Sequence, residues 1–205
     1  MLSARCRAAG TSLIELMVTI AIIGWLITLG VPTIGRWFAD AHVRGAAEGL
    51  VNGLRLAQAT AEARNRVSML AFTNAAPATN AAVAAGGTNW FIGLVGMNGG
   101  TETSSSLGMV QSSTLATQYG VSVVAVGANV GLVCFNSLGQ QATLSAAQAG
   151  LAVGCAPLAA NAPTAFLVSA PSAVRKFKVL VYPAGQVFMC DALKTQSNAN
   201  PDGCP

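Results

Sequence analysis

The chain has 205 residues, of which 53% are hydrophobic and only 9% charged, with eleven Lys and Arg against seven Asp and Glu. Soluble domains usually carry about a quarter charged residues, so this composition excludes a disordered, solvating protein. A formal charge of +4 spread over the whole length is also too sparse for the dense basic footprint of a dedicated nucleic-acid binder.

In chain order, residues 1–10 read as a short leader, whose Arg5 and Arg7 are the basic residues expected on the cytoplasmic side of a membrane segment. From Leu16 to Val31 no side chain ionises, and widening the run to Thr11 and Ile34 adds only Glu15. Counted as helix, Leu13 to Ile34 is 22 residues, at about 1.5 Å each roughly the thickness of a bilayer's hydrocarbon. Residues 11–35 therefore read as a single transmembrane helix, with the amino end inside and the bulk of the chain outside. Later apolar stretches are short and broken, which excludes a polytopic protein. Pro32 predicts a kink. A secretory signal peptide shares the basic start and apolar core. It gains nothing, however, from a carboxylate at Glu15, which is costly at membrane depth, and no small-x-small cleavage site follows the run.

Residues 36–72 read as an amphipathic helix, running to about Ser68, that leads into a head. Val43, Ala47, Leu50, Leu54, Ala57 and Ala61 recur at three and four residues, and Arg44/Glu48 and Glu62/Arg66 lie four apart on the solvated side. The lone histidine, His42, has no ligand set around it. Residues 73–205 form the head. Asn74–Thr88 reads as a loop and Asn98-Gly99-Gly100 as a turn. The β-type runs are Val67–Phe72, Trp90–Val95, Gly108–Gln111, Val121–Val126, Gly131–Asn136, Ala165–Ser169 and Lys176–Tyr182. One long helix followed by short strands is an α+β protein, with the head either an antiparallel sandwich or a sheet wrapped on the helix.

The run Gly10-Thr11-Ser12-Leu13-Ile14-Glu15-Leu16-Met17-Val18, with the basic leader before it and Pro32 after, resembles the class III signal of type IV pilins and type II secretion pseudopilins. The resemblance implies cutting by a prepilin peptidase after Gly10, leaving Thr11 as the new, often methylated, amino terminus. Thr11 departs from the Phe or Met usual there. It also gives Glu15 a role in subunit assembly: a buried carboxylate needs a positive partner, and the Thr11 amine of a neighbouring subunit would supply it. Loss of residues 1–10 would remove Arg5, Cys6 and Arg7 and leave nine basic side chains against seven acidic ones. Phe135-Asn136-Ser137-Leu138-Gly139-Gln140, the run Tyr182-Pro183-Ala184-Gly185-Gln186-Val187-Phe188-Met189-Cys190-Asp191 and, more loosely, Trp90–Val95 with its Asn98-Gly99 turn are similar to motifs of the GspH/FimT group of minor pilins and pseudopilins. That group implies a pilin fold, a long amino-terminal helix carrying an antiparallel β-rich head. It also implies residence in the bacterial inner membrane with the head in the periplasm, and then in a pilus.

Cys134, Cys155, Cys190 and Cys204 remain after the leader, an even number that in an oxidising periplasm reads as two disulfides. Of three possible connectivities, Cys134–Cys155 with Cys190–Cys204 is favoured because each closes a local loop. Each bridge would be worth about 3 kcal/mol, and the second would pin the tail Ala192–Pro205, which has no core of its own. The Cys-x2-Cys spacing of zinc sites does not occur.

Neither a cofactor nor a metal is expected, and catalysis is not: beyond the helix the acidic residues are Glu102, Asp191 and Asp202, and the head has no histidine. DNA is a possible but disfavoured partner. DNA-uptake members of the FimT branch resemble one another in a Gly-Arg-x-Arg motif, and here the matching positions are Gly185-Gln186-Val187-Phe188. Arg175, Lys176, Lys178 and Lys194 are what remains as candidate DNA contacts. The sequence thus reads as a minor pilin that joins other minor and major pilins in a tip or priming complex. Its rivals are a type II secretion pseudopilin, a DNA-binding pilin of natural transformation and a tethered enzyme.

Overall fold

The computed structural model describes residues 12–78, 81–95, 108–115, 120–126, 131–145, 154–155 and 162–205, with side chains at 29–33 and 124–126 outside that description. Gly10, Thr11 and the turn at 98–100 lie outside the described residues. Helix α1 runs over Leu13–Arg64, 52 residues, with a continuous helical backbone through Pro32. Ser12 is extended and its carbonyl accepts the N–H groups of Glu15 and Leu16 at 3.0 and 3.2 Å, which starts the helix. Asn65 stops it with φ 47 and ψ 41, the left-handed cap that a short amide side chain tolerates. The amphipathic segment therefore ends about a turn before Ser68, and that residue instead opens the first strand.

The expected 22-residue membrane span is not met among the described residues: no helix there is long and apolar enough to cross a membrane. The apolar stretch whose side chains are described, Leu13–Thr28, has 16 residues. That is about 24 Å at helical rise, against about 30 Å of hydrocarbon.

The strands are β1 (Ser68–Thr73), β2 (Asn89–Leu94), β3 (Met109–Thr114), β4 (Ser122–Val126), β5 (Leu132–Phe135), β6 (Gln141–Ala142), β7 (Thr164–Ser169), β8 (Phe177–Val181), β9 (Val187–Thr195) and β10 (Gly203–Cys204). They form two five-stranded sheets, ordered β3-β2-β1-β5-β6 and β10-β9-β8-β7-β4. Every pairing is antiparallel except β9 with β10, which is parallel. This last pair corrects the reading of Ala192–Pro205 as a tail without a core. β9 continues to Thr195, and β10 returns beside it with Gly203 opposite Asp191.

Strand periodicity assigns the side chains. In the first sheet Leu70, Phe72, Trp90, Ile92, Val133 and Phe135 point one way, into a core shared with Leu50 and Leu54 of α1 and with Phe166, Val168, Val179 and Val181 of the second sheet. Met69, Ala71, Phe91, Leu132 and Cys134 point the other way and are covered by Cys155, Val83 and Leu144. β1 and β2 are thus buried on both faces, which explains their nearly continuous apolar runs. The Phe72 and Phe166 rings, one from each sheet, meet with centroids 5.0 Å apart. All six stripe residues of the helix, Val43 to Ala61, are buried.

Candidate functional site

Over Leu13–Thr28 the amino half of α1 is apolar on every side, and its side chains lie exposed among the described residues. Leu13, Ile14, Leu16, Met17, Val18, Ile20 and the run from Ile22 to Ile27 are exposed wherever they are large, Trp25 at 76%. Successive helical positions differ by about 100°, so no single face accounts for this, and a helix apolar all round is normally one that something else buries. Its two described threonines fit that setting. The Thr19 hydroxyl donates to the Leu16 carbonyl and the Thr28 hydroxyl to the Trp25 carbonyl, both at 2.8 Å, so neither presents an unmet polar group to its surroundings. Glu15 is then the ionisable side chain of this surface, exposed in the first helical turn, where the helix dipole favours a negative charge.

The other half of α1 is clamped to the head by polar side chains that sequence reading passed over. Asp40 Oδ1 accepts the backbone N–H groups of Val174 and Arg175 at 2.8 and 2.9 Å, fastening the turn between β7 and β8 to the helix. Gln58 Nε2 donates to the Gly139 carbonyl at 2.9 Å. The glycine turns of the two motifs singled out in the sequence meet at this point. Gly139 and Gly185 both have positive φ, and a Cβ on either would run into Gln58, and on Gly185 also into the Gly139 backbone. Gln141 completes the clasp: its N–H donates to the Pro183 carbonyl at 3.0 Å and its Nε2 to Thr164 Oγ1 at 2.9 Å. The two motifs therefore join the sheets to each other and to the helix. Their spacing in sequence, with glycines separated by 46 positions, gave no sign that they touch.

Both disulfides are present, Cys134–Cys155 and Cys190–Cys204, with Cα separations of 5.9 and 5.0 Å. The first ties the cover of the first sheet to β5, and the second joins β9 to β10. Among the described residues there is no group of three or more His, Cys, Asp and Glu placed to hold a metal ion.

The candidate DNA contacts differ in exposure and in what they already engage. Arg175 and Lys176 sit in the turn held by Asp40, both exposed. Lys178 is half-buried on β8, opposite Cys190. Lys194 is already engaged, 2.7 Å from Asp202 and 3.8 Å from the buried Asp191. Its hydrogen bond is the largest cause holding the Asp202 carboxyl below the usual range. Gln186 and Phe188, at the positions where arginines would stand, are exposed but uncharged.

Two solved structures of the type IV minor pilin FimU of Pseudomonas aeruginosa resemble this chain. One aligns at 13% identity with a TM-score of 0.46, over 75% of this chain and 98% of that one. The other aligns at 12% identity with a TM-score of 0.47, over 76% and 93%. Likeness at this distance adds nothing to the helix-and-head arrangement already described. No protein-family model matches the sequence, and no curated protein does.

Proposed function

We propose that the chain is a structural subunit of a type IV pilus, a minor pilin of the GspH/FimT kind. In this reading a prepilin peptidase cuts after Gly10, and the subunit waits in the inner membrane with its head in the periplasm. It then joins other minor and major pilins in the tip or priming complex. The observation that carries the reading is the amino half of α1: apolar all round, exposed, its hydroxyls tied back, and bearing one carboxylate near its start. A segment of that kind is stable only when enclosed, first by lipid and then by the helices of other subunits. Each large apolar side chain moved out of water contributes about 1.5–3 kcal/mol.

Glu15 then acts as the register mark. Enclosed among helices it is costly unless paired, and the amine of a neighbour's Thr11 is the partner available at that end. Replacing Glu15 by Ala should leave membrane association and leader cleavage intact while sharply reducing recovery of the chain in sheared filaments. Normal recovery would sink the pairing role, and a mature amino terminus beyond Pro32 would sink the pilin reading itself. The engaged Lys194 and the uncharged Gln186 and Phe188 weigh against DNA as the principal partner.

A further inference from the structure

Where the apolar half of α1 ends, the next turn carries Arg36, Trp37 and Phe38, all exposed, Trp37 at 68%. Trp37 stands twenty-two residues beyond Glu15 on one continuous helix, about 33 Å at helical rise and so close to one hydrocarbon thickness. Beside it lies a groove of about 350 Å³ lined by Trp37, Asp40, Ala41, Arg44, Arg175 and Phe177. Its two guanidinium groups come from elements remote in sequence, the helix and the β7–β8 turn. Two carboxylates stand among them: Asp40 lines the groove, and Glu48 is paired with the Arg44 guanidinium, so Arg175 and the neighbouring Lys176 are the cations the groove offers a ligand. Asp40 Oδ1 accepts the N–H groups of Val174 and Arg175, and Glu48 is 2.8 Å from Arg44 Nε. Lys176, exposed, follows Arg175 directly.

We propose that this groove seats the phosphate of an anionic phospholipid headgroup in the leaflet on which the head rests. The inference rests on the reading that α1 lies in a bilayer before assembly. Charge complementarity and position select the occupant together. Tryptophan rings settle at the boundary between headgroups and hydrocarbon, Arg forks match phosphate oxygens, and each cation near an anionic leaflet strengthens the attraction. Asp40 takes part as a positioning residue, since its two backbone hydrogen bonds hold the Arg175 main chain against the helix. The lipid would thereby fix how the head stands over the membrane, before other subunits compete for the same helix.

The test uses the full chain, floated with vesicles of phosphatidylcholine alone and of equimolar phosphatidylcholine and phosphatidylglycerol, followed by native mass spectrometry of the lipid retained in detergent. The chain should float with both and keep phosphatidylglycerol in preference. Arg175→Gln should lower that preference about fivefold without changing the fold, since Asp40 grips the backbone there, and Arg175→Lys should retain most of it. Flotation with no headgroup preference, or an unchanged preference in Arg175→Gln, overturns the headgroup site while leaving the membrane reading intact. Failure to float overturns both. Displacement of the lipid by inorganic phosphate at equal concentration, or binding of a DNA duplex that depends on Arg175, overturns the assignment to lipid.

Discussion

The two halves of α1 are one helix to the backbone and opposite cases to their surroundings. From Val43 to Ala61 the apolar positions fall on one stripe, and every one is buried against the two sheets. From Leu13 to Thr28, and again at Ile34, Trp37 and Phe38, apolar residues fall on all sides and the large ones are exposed. In the first case periodicity specifies a partner within the chain. In the second no face is singled out, and no partner for it stands among the described residues. How many apolar side chains a helix carries therefore says less about it than how they are spread around its axis.

Substitutions that treat the halves alike should expose the difference. Leu54→Ala removes a fully buried side chain and should cost the head about 2–5 kcal/mol in denaturant unfolding. Leu26→Ala, in the exposed half, should change it by less than about 0.5 kcal/mol. Equal losses would mean that the amino half packs on the head in solution. Replacing Cys190 and Cys204 together by Ser should lower stability by about 3 kcal/mol, and no change would remove the tail from the cooperative fold.

Glycines sharpen the contrast further. A Cβ on Gly53 would lie 2.7 Å from the Trp90 ring, so Gly53→Ala should destabilise by about 1–3 kcal/mol. Gly49 has open space before it, and Gly49→Ala should stabilise by up to about 1 kcal/mol through helix propensity alone. The smallest effect concerns the tail. Asp202 has a lowered pKa through Lys194, so its contribution is present above the ordinary carboxylate range and is lost as pH falls through the lowered value. An NMR titration of Lys194→Gln should show the Asp202 midpoint moving up toward the ordinary value, and an unmoved midpoint would show that Lys194 is not its cause.

Much of this architecture was legible in the sequence, because the second half of α1 announces itself by its period and strands such as β1, β7 and β8 by short apolar runs between turn residues. The shorter elements were not. β6 and β10 have two residues each, too few for any period, and they exist only because β5 and β9 offer them an edge. Lys194 looked like a surface cation until the return of the chain brought Asp202 beside it. Nothing local marks Asp40, whose partners are 134 and 135 positions away. Nor does anything local to Gly53 show that Trp90 needs the space. What sequence reading missed are pairings across distance, where each residue is ordinary alone.

The shared core has a consequence for how the molecule opens. Phe72 and Phe166 touch across the sheets, and Leu50 and Leu54 belong to the same buried cluster, so neither sheet can loosen without stripping the other and the helix. Amides of β1, β8 and the second half of α1 should exchange with deuterium together, at the free energy of global unfolding. Those near Leu13 to Thr28, without that cluster to hold them, should exchange long before. The helix is continuous in geometry and divided in stability, with the border falling near Ala39, the first of its described side chains to be buried.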